Sequence, residues 1–180
     1  MKHRLCIIVL FFGFSFAFSG CSADKGETEP EKTLSQPQRQ TLIEPCELIT
    51  KSDAESLLGE PVKAAEKSEQ KVVGMKLCMY NPADETSESF LQVMLTQKAF
   101  MKPDGIPPSA IFHSIREAQS EGRTDIEGFG DEAFIATGGL YILIDEYYIS
   151  IGAGNTDRPQ IRERLKAAGK TAVDNLATLR

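Results

Sequence analysis

The chain has 180 residues, 41% of them hydrophobic, with 20 Lys+Arg against 26 Asp+Glu for a net charge of −6. That length suits one ordinary domain, and an acidic balance without a basic cluster excludes nucleic acid as a partner and argues against electrostatic membrane binding beyond an anchor. With 2 His and 4 Cys in the whole sequence, metal and nucleophile chemistry have few residues to draw on.

Residues 1–18 open with Lys2, His3 and Arg4 and continue as an apolar core over 5–18. A basic start followed by an apolar run too short to span a bilayer is the layout of a secretory signal. The run ends at Phe18-Ser19-Gly20-Cys21, which resembles the bacterial lipobox: an apolar residue, two small residues at the cut, and a Cys whose thiol takes diacylglycerol. Phe18 stands where Leu is usual. The alternative is an ordinary cleaved signal with a chance Cys at its end. The resemblance implies a signal peptide over 1–20, a lipidated Cys21 opening a tether over 21–44, and a globular domain over 45–180. Lipidation supplies the two or more acyl chains, palmitate among them, that stable anchoring needs. Loss of Lys2 and Arg4 takes the net charge from −6 to −8.

Cys6 leaves with the signal and Cys21 carries the lipid, so Cys46 and Cys78 remain as an even pair in an oxidising compartment. They are expected to form a disulfide, worth roughly 3–4 kcal/mol by loop entropy. A metal site is the alternative, but these two Cys are far apart, form no CxxC and have one distant His for company. Residues 22–44 are polar, charged and interrupted by Gly26, Pro30 and Pro37. They read as a disordered spacer reaching about 25 Å in r.m.s. terms.

Thr50, with Asp53 completing a capping box, predicts a short helix to residue 58 that Gly59 ends and Pro61 prevents from resuming. Leu48, Ala54, Leu57 and Leu58 supply its buried side. Residues 62–69 suggest a polar edge strand and residues 75–80 a firmer one, followed by a turn at Asn81-Pro82-Ala83-Asp84. Residues 90–96 alternate Leu91, Val93 and Leu95 with Gln92 and Thr96, as a half-buried strand should. After a Pro- and Gly-rich loop at 103–108, Ile111, Ile115 and Ala118 mark an amphipathic helix over about 109–120 that Gly122 stops.

Residues 128–152 then read as a β-meander with strands at 132–136, 140–144 and 147–151. In the middle strand Leu140, Ile142 and Ile144 occupy one face while Tyr141 and Leu143 occupy the other. A strand apolar on both faces must be covered on both. The last element is a long helix, with Asp157 expected as N-cap, Pro159 in its first turn, and Ile161, Leu165, Ala168, Ala172, Leu176 and Leu179 along one stripe. The fold class expected is α+β: one antiparallel sheet of about five or six strands, helices on one or both faces, and one disulfide.

The string Cys46-Glu-Leu-Ile-Thr-x-x-Asp-Ala-x-x-Leu-Leu-Gly59, then Cys78-x-Tyr80, then Gly128-x-Gly130-Asp131-Glu132-Ala133, resembles a broad group of small bacterial lipoproteins, best known from actinobacteria and of unestablished activity. It is also similar to the extracytoplasmic sensor-like domains of some mycobacterial receptor kinases. The likeness spans residues 46–179 and implies a fold, an envelope location and a paired Cys46 and Cys78.

Gly128-x-Gly130-x-x-Ala133 imitates a dinucleotide fingerprint, but a strand follows it instead of a helix, so a turn with Asp131 capping backbone donors is expected. The loop over 152–157 precedes a helix and could in principle hold an anion, yet it lacks the Lys and Ser/Thr of a P-loop. His113 is the one histidine left after processing and is expected at the surface. Asp131-Glu132 and Asp145-Glu146 could be imagined as acid–base or Ca²⁺ groups, but neighbouring carboxylates on a strand diverge. Tyr141, Tyr147 and Tyr148 are expected to pack across strands.

No catalytic residue, cofactor site or metal site is therefore expected. The function expected is a non-enzymatic binding, sensing or accessory lipoprotein of the cell envelope, held to the membrane through Cys21 and acting on an envelope protein. The alternative is an envelope hydrolase or other enzyme built on His113 and scattered carboxylates. Ser22 after the lipidated Cys, in place of Asp, points to the outer membrane, facing the periplasm, if the source is diderm. In a monoderm the protein would sit on the outer face of the plasma membrane.

Overall fold

The structure, a computed structural model, describes residues 41–180, all within one compact unit. Along this range run α1 (Pro45–Leu48), α2 (Lys51–Leu58), β1 (Glu66–Gln70), β2 (Met75–Tyr80), β3 (Leu91–Gln97), α3 (Pro108–Ala118), β4 (Thr124–Ile126), β5 (Glu132–Ala136), β6 (Gly139–Ile144), β7 (Tyr147–Gly152) and α4 (Pro159–Leu179). The strands form one antiparallel sheet in the order β1-β2-β3-β7-β6-β5-β4. Two meanders, β1–β3 and β4–β7, thus meet where β3 pairs with β7, and the segment containing α3 carries the chain from the sheet centre to its far edge.

Seven strands replace the five or six expected. The extra one is β4, Thr-Asp-Ile, too short and polar to show a two-residue period. Nor was α1 anticipated. It is a single turn in which the Glu44 backbone N–H donates to the Glu47 carboxylate. By contrast α2 starts and stops where its local chemistry says. The Asp53 N–H donates to Thr50 Oγ1 at 3.3 Å, the Thr50 N–H donates back to the Asp53 carboxylate at 2.9 Å, and Gly59 closes the helix at φ +77°. For α4 the expected cap is corrected: the N-cap is Arg158, without a side-chain cap bond. The Asp157 N–H instead donates to Asn155 Oδ1 at 2.8 Å, an Asx turn that sets the loop before Pro159.

Helices cover both faces. On one, α1, α2 and α4 pack over Cys78, Tyr80, Leu91, Val93, Leu95, Leu140, Ile142, Ile149 and Ile151. On the other, α3 drops Phe112 into a ring-rich cluster with Phe134, Tyr141, Leu143 and Tyr148. β6 divides its side chains between the two as its alternation requires, which makes it the doubly covered strand. Close approach of α4 to β6 depends on Gly169: a Cβ there would lie 2.5 Å from Leu140 Cδ2.

The Cys46–Cys78 disulfide is formed, tying α1 to β2 with Cα atoms 5.3 Å apart. The packed chain begins ahead of Pro45, inside the segment expected to be tether. Ile43 is buried, and its N–H and C=O are both taken by the amide of Gln97, at 2.9 and 2.7 Å. Gln97 is fully buried and Thr96 nearly so, which breaks the simple alternation expected at the end of β3. A buried side-chain amide is tolerated there because it replaces a backbone ladder for the incoming strand-like segment.

Candidate functional site

The residues singled out from the sequence fall into separate places. Cys21 lies outside the described residues. His113 projects from α3 as an exposed side chain, and its Nε2 lies 2.8 Å from Glu132 Oε1 at the start of β5. Arg116, one turn further on, donates to the other Glu132 oxygen at 3.0 Å and also meets Asp125 of β4 at 3.3 Å. Arg123 completes the chain of charges with Asp125 at 3.0 Å. The fold therefore unites His113 with one of the scattered carboxylates, a pairing that sequence spacing does not show. Both Glu132 oxygens are engaged, and the group reads as an ion-pair lattice that fastens α3 to the β4–β5 edge.

Asp131 diverges from Glu132, as strand geometry requires, and accepts from the Asp145 N–H at 2.6 Å. Its own N–H donates to the Leu143 carbonyl at 2.8 Å. Gly130 sits at φ +62°, and a Cβ there would come within 2.5 Å of the same Leu143 oxygen. The Gly128–Asp131 segment is thus a turn locked against the β6–β7 hairpin, as expected. Asp145, at φ +51° in that hairpin turn, also pairs with Arg180 at the end of α4. Tyr141 stacks on Phe134 at 4.8 Å and Tyr148 packs edge-on to Phe112 at 5.8 Å, so both serve the core. Burial raises the phenol pKa of each. Among the described residues no three His, Cys, Asp or Glu side chains gather as a metal site, and no helix is long and apolar enough to cross a membrane.

What the sequence did not display is a part of the sheet over which, among the described residues, no helix lies on one face. α3 packs against β6 and β7. On the same face of β2, Met75, Leu77 and Met79 alternate with buried Cys78 and Tyr80 and remain half-buried. Met94 of β3 stands opposite Leu77, and Gln92 stands opposite Met79. Beyond them Glu66, Ser68 and Gln70 of the fully exposed edge strand β1 pair with Met79, Leu77 and Met75 in turn. The result is an apolar floor of three Met and one Leu, edged by polar side chains and bounded by an open strand edge. Unbranched thioether side chains adapt to a partner's shape at low cost, and an exposed β edge offers unpaired backbone groups for strand addition.

The floor runs at one end into an open groove of about 590 Å³, lined by Met79 and Gln92 together with Lys63, Asp84, Ser89 and Phe90. Glu60 braces the groove's rim by accepting from the Ser87 hydroxyl at 2.9 Å and from Ser89. The Thr86 N–H, with its hydroxyl, holds the Asp84 carboxyl below its usual pKa. A sequence signal for this floor exists in hindsight. The run Met75-Lys-Leu-Cys-Met-Tyr80 is apolar at every position but Lys76, so both faces of this strand carry apolar side chains. Compared with family models, curated proteins and solved structures, the chain matches none.

Proposed function

We propose that this protein is an envelope lipoprotein, anchored through Cys21, that acts as a non-enzymatic binding or accessory module by docking an envelope protein on the open face of β1–β3. The observation that carries the reading is the half-buried apolar floor of Met75, Leu77, Met79 and Met94, over which no helix lies among the described residues, beside an exposed edge strand. A chain that buries both faces of its other meander leaves this one half-covered, and apolar patches of that kind serve interaction. The sorting expectation from Ser22 stands with this reading: outer membrane facing the periplasm in a diderm, outer face of the plasma membrane in a monoderm.

A photo-cross-linking residue placed at Met94 or Met79 of the lipidated protein in its native envelope tests the reading. The expected result is a discrete protein adduct at both positions, absent from Lys170 on α4 and weakened by Cys21→Ser. Adducts at Lys170 alone, or none at either floor position, would contradict it.

A second reading has one observation in its favour, the 2.8 Å contact of His113 with Glu132. A hydrolase would use that pair as oriented general base, in the manner of a dyad lacking its nucleophile. His113→Ala would then abolish activity in an envelope hydrolase assay. The docking reading predicts no change in partner capture from the same substitution.

A further inference from the structure

Four large apolar side chains of the described chain are exposed: Leu42, Val72, Val73 and Ile106. Scattered singly they would mean nothing. Three of them belong instead to one end of the sheet. Val72 and Val73 lie in the turn between β1 and β2, and Ile106 lies in the loop from β3 to α3. All three line one shallow cavity of about 310 Å³ with Lys102 and Asp104. The two segments are held together where the Gln97 N–H donates to the Gly74 carbonyl at 3.0 Å. Leu42 stands next in the chain to Ile43, which the side chain of that same Gln97 clasps.

The chain leading from Cys21 therefore enters the folded domain at this same end. We infer that this apolar end is a membrane-facing surface: Val72, Val73 and Ile106 rest in the headgroup region of the bilayer that holds the Cys21 lipid. The inference rests on the anchoring reading above. Two physical arguments select a lipid surface as occupant. Nineteen residues separate Cys21 from residue 41, and a chain of that length spans at most about 70 Å, which keeps this end within reach of the bilayer that holds the Cys21 lipid. The apolar tip is also edged by Lys71 and Lys102, neither of them in an ion pair among the described residues, and long cationic side chains reach headgroup phosphates while their stems stay apolar.

Asp104 lies within the patch and Glu146 answers Lys98 at 3.8 Å, so net attraction to anionic lipid is small. Contact then depends on the tether and is lost with it. This agrees with the acidic charge of the whole chain, which gives the domain no autonomous affinity for a bilayer.

The sequence contains no Trp, so Val72→Trp and Ile106→Trp each introduce a unique fluorophore at an exposed site. Glu85→Trp, in the exposed loop at the opposite end of β2, is the control. The lipidated full chain is reconstituted in vesicles of phosphatidylethanolamine and phosphatidylglycerol containing brominated lipid, and acylation of Cys21 is read separately by mass. Blue-shifted emission and several-fold stronger quenching at 72 and 106 than at 85 are expected, with loss of the difference in Cys21→Ser. Adding Ile106→Asp to Val72→Trp should weaken the quenching. An acylated protein that floats with the vesicles but shows equal quenching at 72, 106 and 85 would overturn this inference while leaving the anchor intact. A blue shift that needs other envelope proteins would assign the patch to a protein and overturn it as well. An unacylated Cys21 would sink the anchoring reading, and this inference with it.

Discussion

In β5, β6 and β7 almost every residue is buried, whereas in β2 the buried Cys78 and Tyr80 alternate with half-buried Met75, Leu77 and Met79. Both meanders belong to one sheet and share the α1–α2–α4 layer on one side. They differ on the other side, where α3 reaches β5–β7 and stops. Aromatic rings fill the covered half and thioethers floor the open half. Rigid rings with fixed partners suit a core, and flexible side chains suit a surface that must fit something else. Buried contact is densest in β5–β7, so local stability is expected to be highest there, while the β1–β3 meander leaves one face accessible.

The largest effect should come from breaking the covered half. Phe112 is the one fully buried side chain of α3's apolar anchor and touches Phe134 and Tyr148. Phe112→Ala is expected to cost about 3–5 kcal/mol in urea unfolding. An equal loss from Met79→Ala would erase the proposed difference between the halves.

Reducing the Cys46–Cys78 bridge should cost about 3–4 kcal/mol by loop entropy, because it releases α1 from β2. The comparison is sharpened by where the loss appears. Hydrogen exchange should rise first in α1, β1 and β2 and last in β5–β7.

Gln97→Leu would orphan both backbone groups of Ile43 and is expected to cost about 1–3 kcal/mol. In the membrane account it should also release the entering chain at Ile43 from the apolar end and weaken lipid quenching there.

Alkaline unfolding gives a smaller, signed test. Burial, with Asp53 nearby, raises the Tyr80 phenol from 10.0 to about 12, and the group donates to the Ile49 carbonyl at 2.6 Å. Its folded pKa lies above its unfolded one, so its contribution is intact below pH 10 and is lost as pH rises towards 12. Buried Tyr148 and Tyr141 shift in the same direction. Unfolding free energy measured against pH should be flat up to about pH 10 and then fall, with a shallower fall in Tyr80→Phe. An unchanged slope in that variant would remove Tyr80 from the account.

How much of this was legible in the sequence depends on how local each determinant is. The α2 boundaries follow from Thr50, Asp53 and Gly59, which act within one helix, and the split of β6 between two cores follows from alternation alone. The disulfide was legible because two Cys remained once Cys6 and Cys21 had been assigned, and the turn role of Gly128–Asp131 because a strand follows it. Non-local events were hidden. Nothing near Gln97 announces that it will clasp Ile43, and the His113–Glu132 contact depends on how α3 lies against β5. The open floor was hidden for a related reason: residues 75–80 read simply as a strand, and only the reach of α3 decides that Met75, Leu77 and Met79 stay half-buried. Asp157 was misassigned because an Asx turn from Asn155 placed the helix start one residue later.

The most direct measurement is retention of the Met94 cross-linked partner by the Leu77→Asn, Met79→Asn variant, set beside its urea midpoint. The account predicts that partner capture is lost while the midpoint moves by no more than about 1 kcal/mol in stability, since these positions are half-buried and line no closed core. Capture that survives in a stably folded variant would contradict the claim that the open face of β1–β3 is where this protein works.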